Sequence, residues 1–374
     1  MKRLKVMSIF GTRPEAIKMA PLVKRLEKEE EIESVVCVTA QHREMLDMVL
    51  QIFDIKPQYD LNLMKHGQTI SDITVGVLKG LEGVLAEAKP DIVLVHGDTS
   101  TTFVGALAAF YQKIKIGHME AGLRTDNIYS PYPEEMNRRL TTTLTNFHFA
   151  PTKGNYENLI KNGVSHDEIH IVGNTVIDAL LQVVQDDYRF EEEILNQIDY
   201  KSKKVIAMTC HRRENWGKPM ENIFRAVRGI VERNREVEVV FPVHMNPAIR
   251  KLAQEILGGV EGIHLLEPLE YMAFANLLNK VDIIVTDSGG IQEEAPALGK
   301  PIVVVRTETE RPEAVDAGTV KVVGVEEEDI VREVEILLKD SAAYEAMANA
   351  VNPYGDGKTC DRIVDVLLNY HKNN

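Results

Sequence analysis

Val6-Met7-Ser8-Ile9-Phe10-Gly11-Thr12-Arg13-Pro14-Glu15 decides the fold: a short apolar run stops at a glycine, and charged residues opening a helical pattern follow at once. The arrangement recurs four times. Residues 92–95 lead into His96-Gly97-Asp98-Thr99, residues 114–117 into His118-Met119-Glu120, residues 205–210 into His211-Arg212-Arg213-Glu214-Asn215, and residues 283–285 into Thr286-Asp287-Ser288-Gly289-Gly290. Apolar runs of this length alternating with amphipathic segments predict parallel strands joined by right-handed helical crossovers. Ligands of such sheets gather outside the carboxyl ends of the strands, so reactive side chains at these junctions point to an enzyme.

Outward from these junctions, strands are expected near 4–10, 34–39, 91–96, 114–118, 146–151 and 168–172, with helices near 15–29, 42–52, 70–88 and 99–112. The pattern loosens after Gly173 and through the acidic stretch 185–200, then restarts with strands near 204–210, 237–243, 262–266, 282–286 and 301–305. The fold class is α/β, with two Rossmann-like domains spanning 1–172 and 173–355 and an interdomain active-site cleft. Residues 356–374 are expected to form a C-terminal helix packing back on the first domain.

Composition removes several function classes. Fifty-seven acids against 43 lysines and arginines give a net charge of −14, which disfavours a nucleic-acid partner. The apolar stretch near the start ends at Phe10 and is followed by Arg13 and Glu15, unlike a signal peptide. No apolar run approaches the roughly 18 residues a membrane span requires, so a cytoplasmic protein is expected. Three widely spaced cysteines, Cys37, Cys210 and Cys360, form neither a disulfide framework nor a thiolate metal site. His96, Asp98, His118 and Glu120 alternate in a pattern of potential metal ligands, but alternate residues at a strand end share a face without any metal, and no metal is expected.

At the first junction Gly11 relieves crowding, Arg13 offers a guanidinium that can grip phosphate, Pro14 suits a first helical turn, and Lys18 adds charge one turn later. The absent G-x-G-x-x-G argues against a dinucleotide fingerprint. At Asp287–Glu294, Ser288 can cap a helix, Gly289 and Gly290 let a diphosphate approach the backbone, and one of Glu293 and Glu294 suits ribose hydroxyls. Asp98, Glu120, Glu134 and His211 are the candidates for proton transfer, since like charges crowded in a drying site separate acid from base. Their individual roles stay open.

These motifs resemble the non-hydrolysing UDP-N-acetylglucosamine 2-epimerases. The resemblance rests on Gly11–Glu15, Gln41-His42-Arg43-Glu44, Gly97–Thr99, Glu120-Ala121-Gly122-Leu123-Arg124-Thr125, Pro133-Glu134-Glu135, Gly173-Asn174-Thr175, His211–Asn215, Pro242-Val243-His244, Asp287–Pro296 and Glu310-Arg311-Pro312-Glu313, in order over nearly the whole chain. It implies a glycosyltransferase-B-like arrangement, a homodimer, no redox cofactor, and reversible conversion of UDP-N-acetylglucosamine to UDP-N-acetylmannosamine for surface polysaccharides. The implied route eliminates UDP to 2-acetamidoglucal and adds it back after C2 is reprotonated on the other face. Asp98, Glu120, Glu134 and His211 then carry catalysis. Arg13 and Lys18 lie near the diphosphate, Ser288, Gly289 and Gly290 hold it, Glu294 meets ribose, Phe274 packs near uracil, and Arg311 contacts ligand. In some relatives Gln41 and the region around Gln68 bind a second UDP-N-acetylglucosamine, whereas this chain carries Glu44 and Lys65-His66-Gly67-Gln68 there. A nucleotide-sugar-dependent glycosyltransferase and a noncatalytic nucleotide-sugar sensor are the alternatives that the same architecture admits.

Overall fold

The computed structural model describes residues 2–40, 43–63, 65 and 67–373; Gln41, His42 and His66 of the quoted motifs lie outside the described residues. The chain divides into two compact units, Met1–Gln182 with Tyr354–Asn374, and Val183–Pro353. Both are α/β, and the expected pair of Rossmann-like domains is what the sequence adopts.

In the first unit the strands β1 (Leu4–Phe10), β2 (Ile32–Val38), β3 (Tyr59–Asp60), β4 (Ile92–His96), β5 (Lys115–Met119), β6 (Phe147–Ala150) and β7 (Ile169–Ile171) form one sheet in the order β3-β2-β1-β4-β5-β6-β7. Every pairing is parallel. Val6, Met7, Ile9 and Phe10 are fully buried because helices cover both faces of the sheet, which is why the run is continuously apolar rather than alternating. Helix Ile70–Ala88 lays Val77, Leu81 and Leu85, four residues apart, into the same core as Met7, Ile9, Val93 and Val95. Each such side chain contributes about 1.5–3 kcal/mol relative to leaving it in water.

The second unit repeats the plan with β8 (Lys204–Thr209), β9 (Val237–Pro242), β10 (Ile263–Leu266), β11 (Ile283–Thr286), β12 (Ile302–Val304) and β13 (Val320–Val322), all parallel in the order β10-β9-β8-β11-β12-β13. Its core gathers Met208, Phe224, Phe241, Val285 and Val334. In each sheet the chain moves outward from its first strand and then returns to that strand's other side. The order therefore reverses between β1 and β4 and again between β8 and β11, the points where following helices leave on opposite faces and open a crevice. Gly11–Glu15 and Gly97–Thr99 flank the first reversal; Cys210–Asn215 and Asp287–Gly290 flank the second.

The first unit extends ten residues beyond the expected 172/173 boundary. Helix Thr175–Val183 carries Asp178, whose carboxylate accepts the amides of Thr359 at 3.3 Å and Cys360 at 2.9 Å, while the Asn174 amide bonds the Tyr354 carbonyl at 2.6 Å. These bonds fasten residues 173–182 and the C-terminal helix Thr359–Lys372 into one body, so the chain re-enters the first unit at Tyr354 rather than Asp356. Strands β3 and β13 are absent from the sequence-based expectation because two or three residues with a charge among them give no period to detect. The three cysteines are free and buried, and burial pushes the Cys210 thiol well up, out of nucleophilic range.

Candidate functional site

The first junction is built around Glu15. Thr12 caps helix Arg13–Glu27 in a capping box with Glu15. The Glu15 carboxylate accepts the amides of Gly11 at 3.1 Å and Thr12 at 2.8 Å on Oε2, and the hydroxyls of Thr99 at 2.7 Å and Thr102 at 3.2 Å on Oε1. Burial pushes this carboxyl up against the pull of its hydrogen bonds. This carboxylate ties the loop after β1 to the loop after β4. Gly11 is required here, because a Cβ would fall 1.9 Å from Thr39 Oγ1.

Asp98 follows Gly97, which takes a left-handed turn at φ 71, and precedes Thr99, the cap of helix Ser100–Tyr111. Arg138 reaches Asp98 Oδ2 through Nε at 2.9 Å and Nη2 at 2.6 Å, and the Asn137 amide bonds the Asp98 carbonyl at 2.8 Å. Burial raises the Asp98 carboxyl; Arg138 opposes this, and nearby Glu120 adds to it, leaving it above the usual carboxylate value. Arg138 is itself held by fully buried Glu135 at 3.2 Å, which also takes Arg139 at 2.8 Å and the Thr125 amide at 3.1 Å.

Glu120 closes the group at the end of β5. Its Oε1 receives Lys18 Nζ at 2.6 Å and Asn174 Nδ2 at 3.1 Å, and its Oε2 stands 3.7 Å from Nε2 of His96. The residue sits at φ 59, a left-handed conformation unusual for a side chain of this size. Burial pushes His96 down to about 3 and His118 down to about 4, so both rings are neutral near pH 7. Glu134 is the half-buried first residue of helix Glu134–Leu144, after cis bonds at Ser130–Pro131 and Tyr132–Pro133, on the helix whose next turn clamps Asp98.

In the second unit Asp287, with no solvent exposure, organises the junctions of β8 and β11. Its Oδ2 accepts the amides of His211 at 2.9 Å and Arg212 at 2.8 Å and the Asn215 side chain at 3.1 Å, while His211 Nδ1 lies 3.2 Å from Oδ1. Burial alone would raise this carboxyl, but the His211 ring and these amides outweigh it and hold it below the usual value. The partly exposed His211 ring stacks on His244 with centroids 5.6 Å apart and planes 14° from parallel.

Ser288 stands at the cap position of the six-residue helix Gly289–Glu294 but makes no side-chain cap bond; its amide instead bonds Thr286 Oγ1 at 2.9 Å. Capping by its hydroxyl is therefore corrected, and that hydroxyl is not committed to the helix. A Cβ on Gly289 would meet Arg212 Nη2 at 3.4 Å and Glu310 at 3.6 Å, and one on Gly290 would meet Glu294 at 3.5 Å. Arg311 pairs with buried Glu293, leaving Glu294 as the half-exposed carboxylate of the two. Phe274 is half-buried on helix Tyr271–Lys280.

Asp98, Glu120 and Lys18 thus converge within the first unit, and His211 joins the Ser288–Gly290 turn through Asp287 in the second. Arg13 is half-buried on the first helical turn. Sequence reasoning misses the roles of Glu15, Arg138, Glu135 and buried Arg306, which pairs with Glu214 at 2.6 Å and Glu310 at 2.9 Å. The spacing of Glu135, Arg138 and Arg139 puts them on one helix face, a signal that the sequence itself carries. Among the described residues no group of three or more histidines, cysteines or carboxylates is arranged to hold a metal ion, and no helix is long and apolar enough to cross a membrane.

Comparison with known proteins gives a consistent result. The family model described as UDP-N-acetylglucosamine 2-epimerase matches residues 24–368. The chain is 54% identical over 368 residues to the UDP-N-acetylglucosamine 2-epimerase of Bacillus subtilis, covering 98% of this chain and 96% of that one. It is 54% identical over 372 residues to the Escherichia coli K12 enzyme of the same name, covering 98% and 99%. The crystal structure of the Neisseria meningitidis UDP-GlcNAc 2-epimerase bound to UDP-GlcNAc superposes with a TM-score of 0.83 at 49% identity, covering 98% of this chain and all of that one. A Rickettsia africae glycosyltransferase, 13% identical, superposes with a TM-score of 0.66 over the whole of both chains, a likeness of fold alone.

Proposed function

The chain belongs to the UDP-N-acetylglucosamine 2-epimerase family, and on that premise we propose that it interconverts UDP-N-acetylglucosamine and UDP-N-acetylmannosamine by eliminating UDP and adding it back. The observation that carries this reading is the pair of neighbouring carboxylates Asp98 and Glu120, each held by its own cation, Arg138 and Lys18. A C2 hydrogen is too weakly acidic to leave unaided. As the anomeric C–O bond breaks, its electrons depart with UDP. A carboxylate takes the C2 proton, and the C–H electrons form the double bond of 2-acetamidoglucal. Inversion then needs a proton delivered to the opposite face, which one base on one side cannot do. Asp98, Glu120 and Glu134 are the proton-transfer set in this proposal.

Nucleotide recognition falls to Arg13 and to the second unit. Ser288, Gly289 and Gly290 would hold the diphosphate, Glu294 would accept ribose hydroxyls, Phe274 would pack on uracil, Arg311 would stand at the ligand's edge, and His211, oriented by Asp287, would assist the leaving phosphate. Lys18 is set on Glu120 at 2.6 Å, so its charge serves the carboxylate as well as the diphosphate region. We place the reaction in the cytoplasm, where nucleotide sugars are made. Turnover of UDP-N-acetylglucosamine in deuterated water should yield UDP-N-acetylmannosamine carrying deuterium at C2, with UDP and 2-acetamidoglucal in quenched mixtures. Complete retention of the C2 protium with no glycal would sink the elimination route.

The proposal includes a second copy of the chain as partner. Three successive helices of the first unit leave large apolar side chains in water: Ile70 and Val75 on Ile70–Ala88, Phe110 and Tyr111 at the end of Ser100–Tyr111, and Leu140 on Glu134–Leu144. The middle helix packs on both others, so these residues sit on neighbouring surfaces. Sedimentation equilibrium should return twice the 42.0 kDa chain mass; a monomer at micromolar concentration would refute the dimer.

A further inference from the structure

His96 is a neighbour of Glu120 whose facing atom forms no bond. It ends β4, is 3% exposed, and its Nε2 has no hydrogen-bond partner among the described residues, although it stands 3.7 Å from Glu120 Oε2. An unpaired buried nitrogen is destabilising and calls for an explanation. A neutral imidazole has a single N–H; with that N–H on Nδ1, Nε2 presents a lone pair. A lone pair facing an ionised carboxylate has nothing to accept, and the two atoms stay farther apart than a hydrogen bond allows. Closing the gap requires only that Glu120 be protonated.

We propose that His96 is a positioning residue whose Nε2 accepts a hydrogen bond from Oε2 of Glu120 while Glu120 carries the proton removed from C2. This rests on the reading of Glu120 as a proton-transfer group. In the step concerned the C2–H bond breaks, the proton goes to Oε2, and the C–H electrons enter the glycal double bond as the C1–O electrons leave with UDP. The new O–H then points at Nε2, which fixes the rotation of the carboxyl group while C2 is reprotonated from the opposite face. Burial has pushed the imidazole down to about 3, so the proton remains on Glu120 and does not pass to the ring.

Other groups that face Glu120 act in known directions. Lys18 from helix Arg13–Glu27 and the Asn174 side chain favour its ionised form, and Asp98 after β4 favours the protonated one. His118 on β5 bonds the Gly97 carbonyl at 2.7 Å and is neutral above about pH 4, so it adds no charge. His96 is thus a buried neutral acceptor available to the protonated carboxyl, and removing it should make Glu120 a stronger acid.

The test compares His96→Leu, which has no acceptor, with His96→Gln, whose side-chain oxygen can reach the place of Nε2. His96→Asn, polar but too short, is the second variant without an acceptor should the leucine variant fail to fold. Carboxyl carbon NMR of the full-length protein, with Glu120 assigned through Glu120→Gln, reads the titration without any substrate. The Glu120 midpoint should fall by about 0.7 pH unit in the leucine or asparagine variant, the equivalent of one ordinary hydrogen bond, and recover in the glutamine variant. In turnover, kcat should fall about threefold to tenfold with KM unchanged, the acidic limb of its pH profile should move down, and glutamine should restore both. An unchanged midpoint in an active variant lacking the acceptor overturns the role of His96, as does a glutamine variant displaced as far as the leucine one. A shifted midpoint in a protein that never epimerises UDP-N-acetylglucosamine supports the hydrogen bond and overturns the epimerase reading alone.

Discussion

Glu120→Gln should lower kcat about a thousandfold while a folded variant binds UDP within a few-fold of the unmodified protein. The expected loss follows from the role: an amide cannot take a proton from C2, and general acid or base groups typically supply about 10²–10⁴. Spared UDP affinity follows from the division of roles in the proposal, which gives the diphosphate to Ser288–Gly290 and Arg13 and the C2 proton to Glu120. Glutamine keeps the shape and can still accept Asn174 and Lys18 through its oxygen, so the backbone turn at φ 59 is retained. Steady-state kinetics with isothermal calorimetry separates the two quantities. A kcat within tenfold of the unmodified protein would remove Glu120 from the chemistry, and normal turnover in the matching Asp98→Asn and Glu134→Gln variants as well would make the whole carboxylate set structural.

Asp287→Ala should destabilise the protein by about 3 kcal/mol and disable catalysis with it. A fully buried carboxylate is removed from two amides and an asparagine side chain, all left without their acceptor. The His211 ring loses the group beside its Nδ1 and with it the orientation that its proposed part in phosphate departure relies on. The pH dependence has a definite sign. The folded-state carboxyl lies below its ordinary value of 3.8, so its ionisation contributes stability that is fully present above that value and lost as the pH falls through the lower folded value. Denaturant unfolding at pH 7 and between pH 4 and 3 should therefore show a falling stability in the unmodified protein and a flatter course in the variant. Equal stabilities at pH 7 would show that this carboxylate is dispensable to the fold.

Much of this site is legible in the sequence because the information is local. Apolar runs ending in glycine and charge mark strand ends, and strand ends in a reversing sheet are where ligands bind, so position alone singles out Asp98, Glu120, His211 and Ser288–Gly290. What the sequence does not spell out is long-range. Nothing in it says that Lys18 will meet Glu120 across 102 residues or that Asp178 will seize the amides of Thr359 and Cys360, and the latter bonds set the domain boundary later than expected. Glu15 is a different case. Thr12-Arg13-Pro14-Glu15 spells a capping box outright, yet nothing local announces that the same carboxylate will also take the hydroxyls of Thr99 and Thr102. Arg138 is likewise readable from its spacing to Glu135, but only contact with Asp98 shows what the pair is for.

The return of the chain to its first unit has a consequence for synthesis. Helix Thr359–Lys372 buries Ile363, Val364 and Leu367, pairs Asp361 with Arg25, and sets Tyr370 edge-on against Phe147. The first unit therefore waits for this helix to be translated, while every strand of the second has already emerged. On the ribosome the order of completion runs opposite to the order of the sequence: the nascent N-terminal half must hold its seven strands with apolar surface uncovered where this helix will lie, until residues 359–372 arrive. Deleting the helix would strike the half of the protein that was made first.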